Sequence, residues 1–145
     1  MSPVDSFAGE RSERMRSSMM ATNGGALPAL DAALGRRPGW VIDGLFGIGL
    51  ARAPEGLYAQ WIASANRLAE RDCCPLLALD CPSGLNPETG AALLPTIRAS
   101  HTLSFIAAKP GLYMADGPDH CGEVRIADLA LDSVAECAPD GWLLS

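Results

Sequence analysis

Apolar and polar positions change texture along the chain. Residues 1–22 are Ser- and Arg-rich with no sustained period, which predicts a flexible arm, frayed helix at most around Glu10–Met20. Leu27–Leu34 fits a short helix stopped by Gly35. From Trp40 the pattern tightens. Trp40–Val41–Ile42 predicts a short strand ending on Asp43, followed by the glycine-bearing loop Gly47–Ile48–Gly49–Leu50. Pro54–Glu55 then opens a helix, because proline is tolerated in a first turn and a carboxylate suits the positive end of the dipole. Leu57, Trp61, Ala65 and Leu68 recur every three or four residues and predict its apolar face. Pro75–Leu79, apolar without alternation and ending at Asp80, predicts a strand buried on both faces. Strand, loop, helix, strand is a βαβ unit and implies a parallel sheet. His101–Ile106 and Glu123–Ala127 predict two further strands, separated by the Lys109–Pro110–Gly111 break and a Gly/Pro/Asp loop over 116–122. No internal repeat or low-complexity tract interrupts this order.

Composition narrows the class. At 145 residues, 48% hydrophobic and 19% charged, the chain suits one globular domain and excludes disordered, collagen-like and coiled-coil classes. A net charge of −6 speaks against a nucleic-acid or anionic-membrane surface. No apolar run reaches the ~18 residues of a membrane span, and the Arg-dotted start lacks a signal-peptide core, so a cytoplasmic protein is expected. The five cysteines form no CxxC pair, and His101 and His120 sit apart, so the expectation is free thiols and no zinc site. Lys109 is the only lysine among eleven basic residues.

Asp43 and Asp80 both stand at the carboxyl ends of strands joined by one crossover, the edge where open parallel sheets bind ligands. The GxG loop after Asp43 leads toward a helix N-terminus, which offers N–H donors and a positive dipole to a phosphate. Asp80 precedes Pro82–Ser83–Gly84–Leu85, a turn able to present the Ser83 hydroxyl. Taken singly, each acid reads as a strand-end cap; taken together, the two loops point to a site.

Three strings then carry a resemblance. VIDGLFGIGLARAPEG, LLALDCPSGLNPETG and HTLSFIAAKPGL, in that order, resemble the YjeF N-terminal domain family, the NAD(P)H-hydrate epimerases. The likeness runs from about Trp40 to Leu131. It implies a Rossmann-like three-layer α/β/α fold with a mostly parallel sheet. It also implies an isomerase that interconverts the R and S hydrates of NADH and NADPH (NADHX, NADPHX) with a potassium ion, often as a homodimer. By position, Asp43 and Ser83 correspond to potassium ligands, as hard oxygen donors should. Gly47, Ile48, Gly49, Leu50, Ala51, Arg52 and Ala53 correspond to the loop that binds the cofactor hydrate. Asp80 corresponds to a substrate-contacting acid and Lys109 to the lysine of the family's FxxxKxG segment. Asp80 and Lys109 are the candidate acid/base pair, since inverting a carbinolamine-like carbon needs a proton given and taken.

The resemblance also has a gap. The family's opening βαβ half carries an N-N-G-G-D-G phosphate loop whose Asn supplies another potassium ligand. Thr22–Asn23–Gly24–Gly25–Ala26 mimics it, but Ala26 stands where the acid belongs, and only 20 residues separate Asn23 from Asp43. That stretch reads instead as the turn before helix 27–34. The expected organisation is thus an arm over 1–22, a partial domain over 23–132 lacking the N-terminal half of the fold, and a linker-like tail over 133–145. The tail falls about where a dehydratase domain follows in some members. Expected partners are the small-molecule hydrate, a second copy or a complementing N-terminal half, and neither nucleic acid nor membrane. A non-catalytic binding or dimerisation module, or the remnant of a disrupted bifunctional repair gene, is the alternative reading.

Overall fold

A computed structural model describes residues 37–50 and 52–130. The expected arm, the 27–34 helix, the Thr22–Ala26 turn, Ala51, Cys137 and the 133–145 tail lie outside the described residues. The chain runs β1 (Val41–Asp43), α1 (Gly56–Asp72), β2 (Leu76–Leu79), β3 (His101–Phe105), a 3-10 turn (Pro110–Leu112), α2 (Gly117–Cys121) and β4 (Glu123–Ala127). The four strands form one all-parallel sheet in the order β1-β2-β3-β4, parallel as the patterning implied and Rossmann-like as the resemblance implied.

Helix α1 crosses from β1 to β2 and covers one sheet face. Val41 and Leu76 from that face pack with Ile62 and Leu68 of the helix and with Ile97. Fully burying a side chain such as Ile62 or Leu68 contributes about 1.5–3 kcal/mol, so this contact is what fixes helix to sheet. The helix ends at Cys73, whose left-handed φ of 51° turns its N–H back onto the last carbonyls.

Four expectations change in detail. The helix begins at Gly56, with Glu55 as an extended N-cap, so Pro54 lies outside it. Its buried face is centred on Ile62 and Leu68, whereas Leu57 is exposed. The first turn packs instead on the loop after β1, where Tyr58 lies 5.0 Å from Phe46 and 5.4 Å from Trp61. In β2 only Leu76 and Ala78 are buried; Leu77 and Leu79 turn to the other face, which among the described residues stays partly open, with Ile42 45% exposed. The 116–122 stretch, expected as loop, contains the short helix α2.

A second apolar cluster, Cys81, Leu85, Leu112 and Cys121, lies beyond β2 and β3. It locks two excursions together: the Gly111 N–H donates to Pro87 O at 2.8 Å, and a methyl on Gly111 would sit 2.4 Å from Asn86 O. Cys73, Cys74, Cys81 and Cys121 are free thiols, as expected for those four. Burial pushes the Cys81 thiol up to about 12 and the Cys121 thiol up to about 11, so both act as small apolar residues.

Candidate functional site

Parallel pairing brings the ends of β1, β2 and β3 to one sheet edge, and four predicted site residues meet there. Asp43, the last residue of β1, is buried on the helix-covered face. The chain leaving β2 bends back over it. Ser83 donates both its N–H, to Asp43 Oδ2 at 2.8 Å, and its hydroxyl, to Oδ1 at 2.7 Å. The Leu45 N–H also donates to Oδ1, at 3.2 Å, and the Phe46 N–H donates to Ser83 Oγ at 3.0 Å. Among the described residues no cationic side chain pairs with this carboxylate. Burial is the leading influence and raises its pKa; the Ser83 and Leu45 hydrogen bonds oppose it.

Such a donor set fits a hard monovalent cation. A buried carboxylate without a counter-charge, beside a hydroxyl oxygen that keeps a lone pair, is oxygen-only and negative. Asp43 and Ser83 could hold part of the shell of such a cation; the group of three or more His, Cys, Asp or Glu side chains that a transition metal prefers is absent among the described residues.

Asp80, one residue past β2, adopts a left-handed φ of 70°, which Asp tolerates better than bulkier residues do. Its N–H still continues the ladder to Leu103 O at 2.8 Å, while its side chain turns to the end of β3. There Oδ1 accepts from the Phe105 N–H at 3.2 Å and pairs with Lys109 Nζ. Lys109 Nζ also donates to Ser104 Oγ at 3.0 Å and to Phe105 O at 2.9 Å. All three N–H donors of an ammonium are thereby used. Each side chain of the pair is only 18% exposed. The lysine is therefore neither solvated nor idle: it clamps Asp80.

Gly47 links the two acids. A methyl there would meet Asp80 Oδ2 at 3.6 Å, and the residue before it, Phe46, bonds Ser83. Ile48, Gly49 and Arg52 are exposed, Leu50 and Ala53 half-buried. Neither Gly47 nor Gly49 has a left-handed φ, so these glycines leave room and do not serve a tight turn. Sequence reasoning missed Ser104, an inward-facing polar position of β3 beside the equally buried Thr102. Two polar residues on the covered face of a strand were the available signal.

At the opposite sheet edge Ser100, His101 and Glu123 come together, with Ser100 Oγ 3.0 Å from His101 Nδ1 and His101 Nε2 3.8 Å from Glu123. The Ser100 hydroxyl donates to Leu76 O at 3.0 Å and accepts from the Leu76 N–H at 2.9 Å. Bonded to both backbone groups of Leu76, the hydroxyl ties the start of β3 to the start of β2.

Comparison with known proteins decides the family. The model of the YjeF-related protein N-terminus matches residues 7–111. The chain belongs to the YjeF N-terminal domain family. The family match starts upstream of Trp40 and so takes in much of the stretch that precedes the described residues. The chain is 42% identical over 93 residues to the bifunctional NAD(P)H-hydrate repair enzyme Nnr of Escherichia coli, covering 64% of this chain and 17% of that one. It is 39% identical over 92 residues to the bifunctional NAD(P)H-hydrate repair enzyme of Leishmania major, covering 63% and 16%. It is 38% identical over 100 residues to the NAD(P)H-hydrate epimerase of Limosilactobacillus fermentum, covering 69% and 46%. The chain thus spans about a sixth of the length of these bifunctional members and under half of the epimerase.

Proposed function

We propose that this chain carries the proton-transfer and cation-binding side of an NAD(P)H-hydrate epimerase pocket, acting on the R and S hydrates of NADH and NADPH. The Asp80–Lys109 pair set beside Gly47 and the Asp43–Ser83 cluster is the observation that carries it. The relatives' names point the same way.

The hydrate carries a hydroxyl and the ring nitrogen on one carbon. Asp80 takes the hydroxyl proton while the C–N bond opens, its electron pair leaving on the nitrogen and spreading into the ring carboxamide. Rotation exposes the other face of the new carbonyl; the nitrogen re-adds and the proton returns from Asp80 to the oxygen. Nothing is consumed. Lys109, with its three donors spent, holds the Asp80 carboxylate in place. Gly47, Ile48, Gly49 and Arg52, exposed in the loop after β1, border the cofactor hydrate. Asp43 and Ser83 would hold a potassium ion, which would supply positive charge to the pocket.

Parallel sheets are buried on both faces, so the face at Ile42, partly open among the described residues, takes a cover. We assign it to a second copy of the chain or to a complementing N-terminal half, in the cytoplasm.

Turnover of the R hydrate of NADH, followed by chiral separation of the two epimers, tests the reading. Asp80→Asn keeps the shape and removes the proton carrier, so the rate above the spontaneous one should fall by about 10²–10⁴ with binding little changed. An unchanged rate in Asp80→Asn refutes the assignment.

A further inference from the structure

Ser83 is held from behind as well as from the front. Its carbonyl accepts from the Ile97 N–H at 2.8 Å, and the next carbonyl, Gly84 O, accepts from Thr96 Oγ1 at 3.1 Å and from the Leu93 N–H at 2.7 Å. The cation-site turn therefore hangs on the 93–97 segment, which is not part of any strand of the sheet. Helix α1 fixes that segment through one side chain. Asn66 donates its amide N–H to Thr96 O at 2.9 Å and accepts the Arg98 N–H on its Oδ1, also at 2.9 Å. A mid-helix amide thus takes the place of a neighbouring strand. Ile97, between the two bonded residues, is fully buried against the Ile62 and Leu68 face of the same helix. Apolar packing brings the segment to the helix, but it is non-directional and does not set its position along the helix axis. The two hydrogen bonds of Asn66 set it from the helix side, while His120 Nδ1, 2.9 Å from Ile97 O, holds the segment from the other.

We infer that Asn66 is a positioning residue for the Asp43–Ser83 cation site, acting through Thr96–Arg98 and the Ser83 carbonyl. The inference rests on the cation reading of that site. With Asn66 in place, the Ser83 hydroxyl and N–H both reach Asp43 and the hydroxyl oxygen stays oriented. Without it, the 96–98 segment can slide, the Ser83 peptide rotates, and the oxygen donors of the site lose their common direction.

The test is a potassium titration of the full chain, read by thermal melting against choline chloride at equal ionic strength. In the unsubstituted chain the melting temperature rises with potassium and yields an apparent Kd. Asn66→Ala should weaken that Kd by about tenfold or more, the usual cost of losing a group that orients a metal ligand. Thr102→Val is the control: it removes the buried bond to Cys121 O, 2.7 Å long, and none of the bonds that join Asn66 to Thr96 and Arg98 or Ile97 to Ser83. It should lower the melting temperature and leave the Kd within twofold. Asn66→Asp, which keeps the acceptor for Arg98 and loses the donor to Thr96, serves if the alanine variant does not fold; it should weaken the Kd at least threefold. A Kd unchanged in the Asn66 variants, at whatever cost in stability, makes Asn66 a structural residue only and overturns the inference. No potassium response in the unsubstituted chain overturns the cation reading itself, and the inference with it.

Discussion

Replacing Ser83 by alanine separates the electrostatics of the site from its packing. The change removes one oxygen from a fully buried position and leaves the backbone N–H bond to Asp43 Oδ2 intact. Two interactions go. The first is the hydroxyl bond to Asp43 Oδ1 at 2.7 Å, a bond to a carboxylate, worth about 1.5–3 kcal/mol. The second is the Phe46 N–H to Ser83 Oγ bond at 3.0 Å, whose loss leaves a half-buried donor unpaired at about 0.5–1 kcal/mol. Together they predict a loss of about 2–4 kcal/mol, or a fall in Tm of roughly 5–15 °C for a domain of this length. The Ser83 hydroxyl also lowers the pKa of Asp43 against the burial that raises it, so its removal lets that pKa climb further. Urea unfolding in potassium-free buffer at neutral pH measures the first effect, and its repetition across pH the second. A loss below about 0.5 kcal/mol would mean that the hydroxyl does not hold a buried charge, and the account of the site fails.

Three further outcomes follow from the same geometry. Burial raises the Asp43 pKa, so its contribution to stability is full below the ordinary carboxylate pKa and is lost as pH rises through the raised value; potassium competes with that proton, so its stabilising effect should grow over the same rise and vanish in Asp43→Asn, as urea midpoints with and without potassium would show. Gly84→Ala places a methyl 2.6 Å from Pro95 O at a left-handed φ of 98°, and chemical denaturation should register a loss of at least about 2 kcal/mol. Cys73 is exposed whereas Cys81 is buried with its pKa pushed up to about 12, so alkylation in mildly alkaline buffer followed by peptide mass spectrometry should mark Cys73 well before Cys81, which labels only in urea; equal labelling of the two would contradict the burial.

Much of the fold was legible from local pattern. The β-length apolar runs around Val41, Leu77, Leu103 and Val124, with one helical stretch between the first two, already implied a parallel sheet, because a single crossover helix cannot join adjacent strands any other way. Acids at two strand ends were equally visible, and parallel pairing alone brings Asp43 and Asp80 to one edge. Sequence also singled out Ser83 and Lys109 by the strings around them. What it could not contain was the pairing: that Ser83 folds back on Asp43 across 40 positions and that Lys109 spends its three donors on Asp80, Ser104 and Phe105. Those bonds depend on the left-handed turn at Asp80 and on two interlocked excursions, which local propensity does not encode. The helix face shifted for the same reason: periodicity marks every apolar position, Leu57 included, but only the sheet beneath decides which of them are covered. Asn66 left no mark at all in the sequence, because an amide in a helix looks like a solvated residue until a strandless segment is laid against it. Short-range pattern determined the elements and their order; long-range hydrogen bonding, available only once the chain is packed, decided what the site residues do to one another.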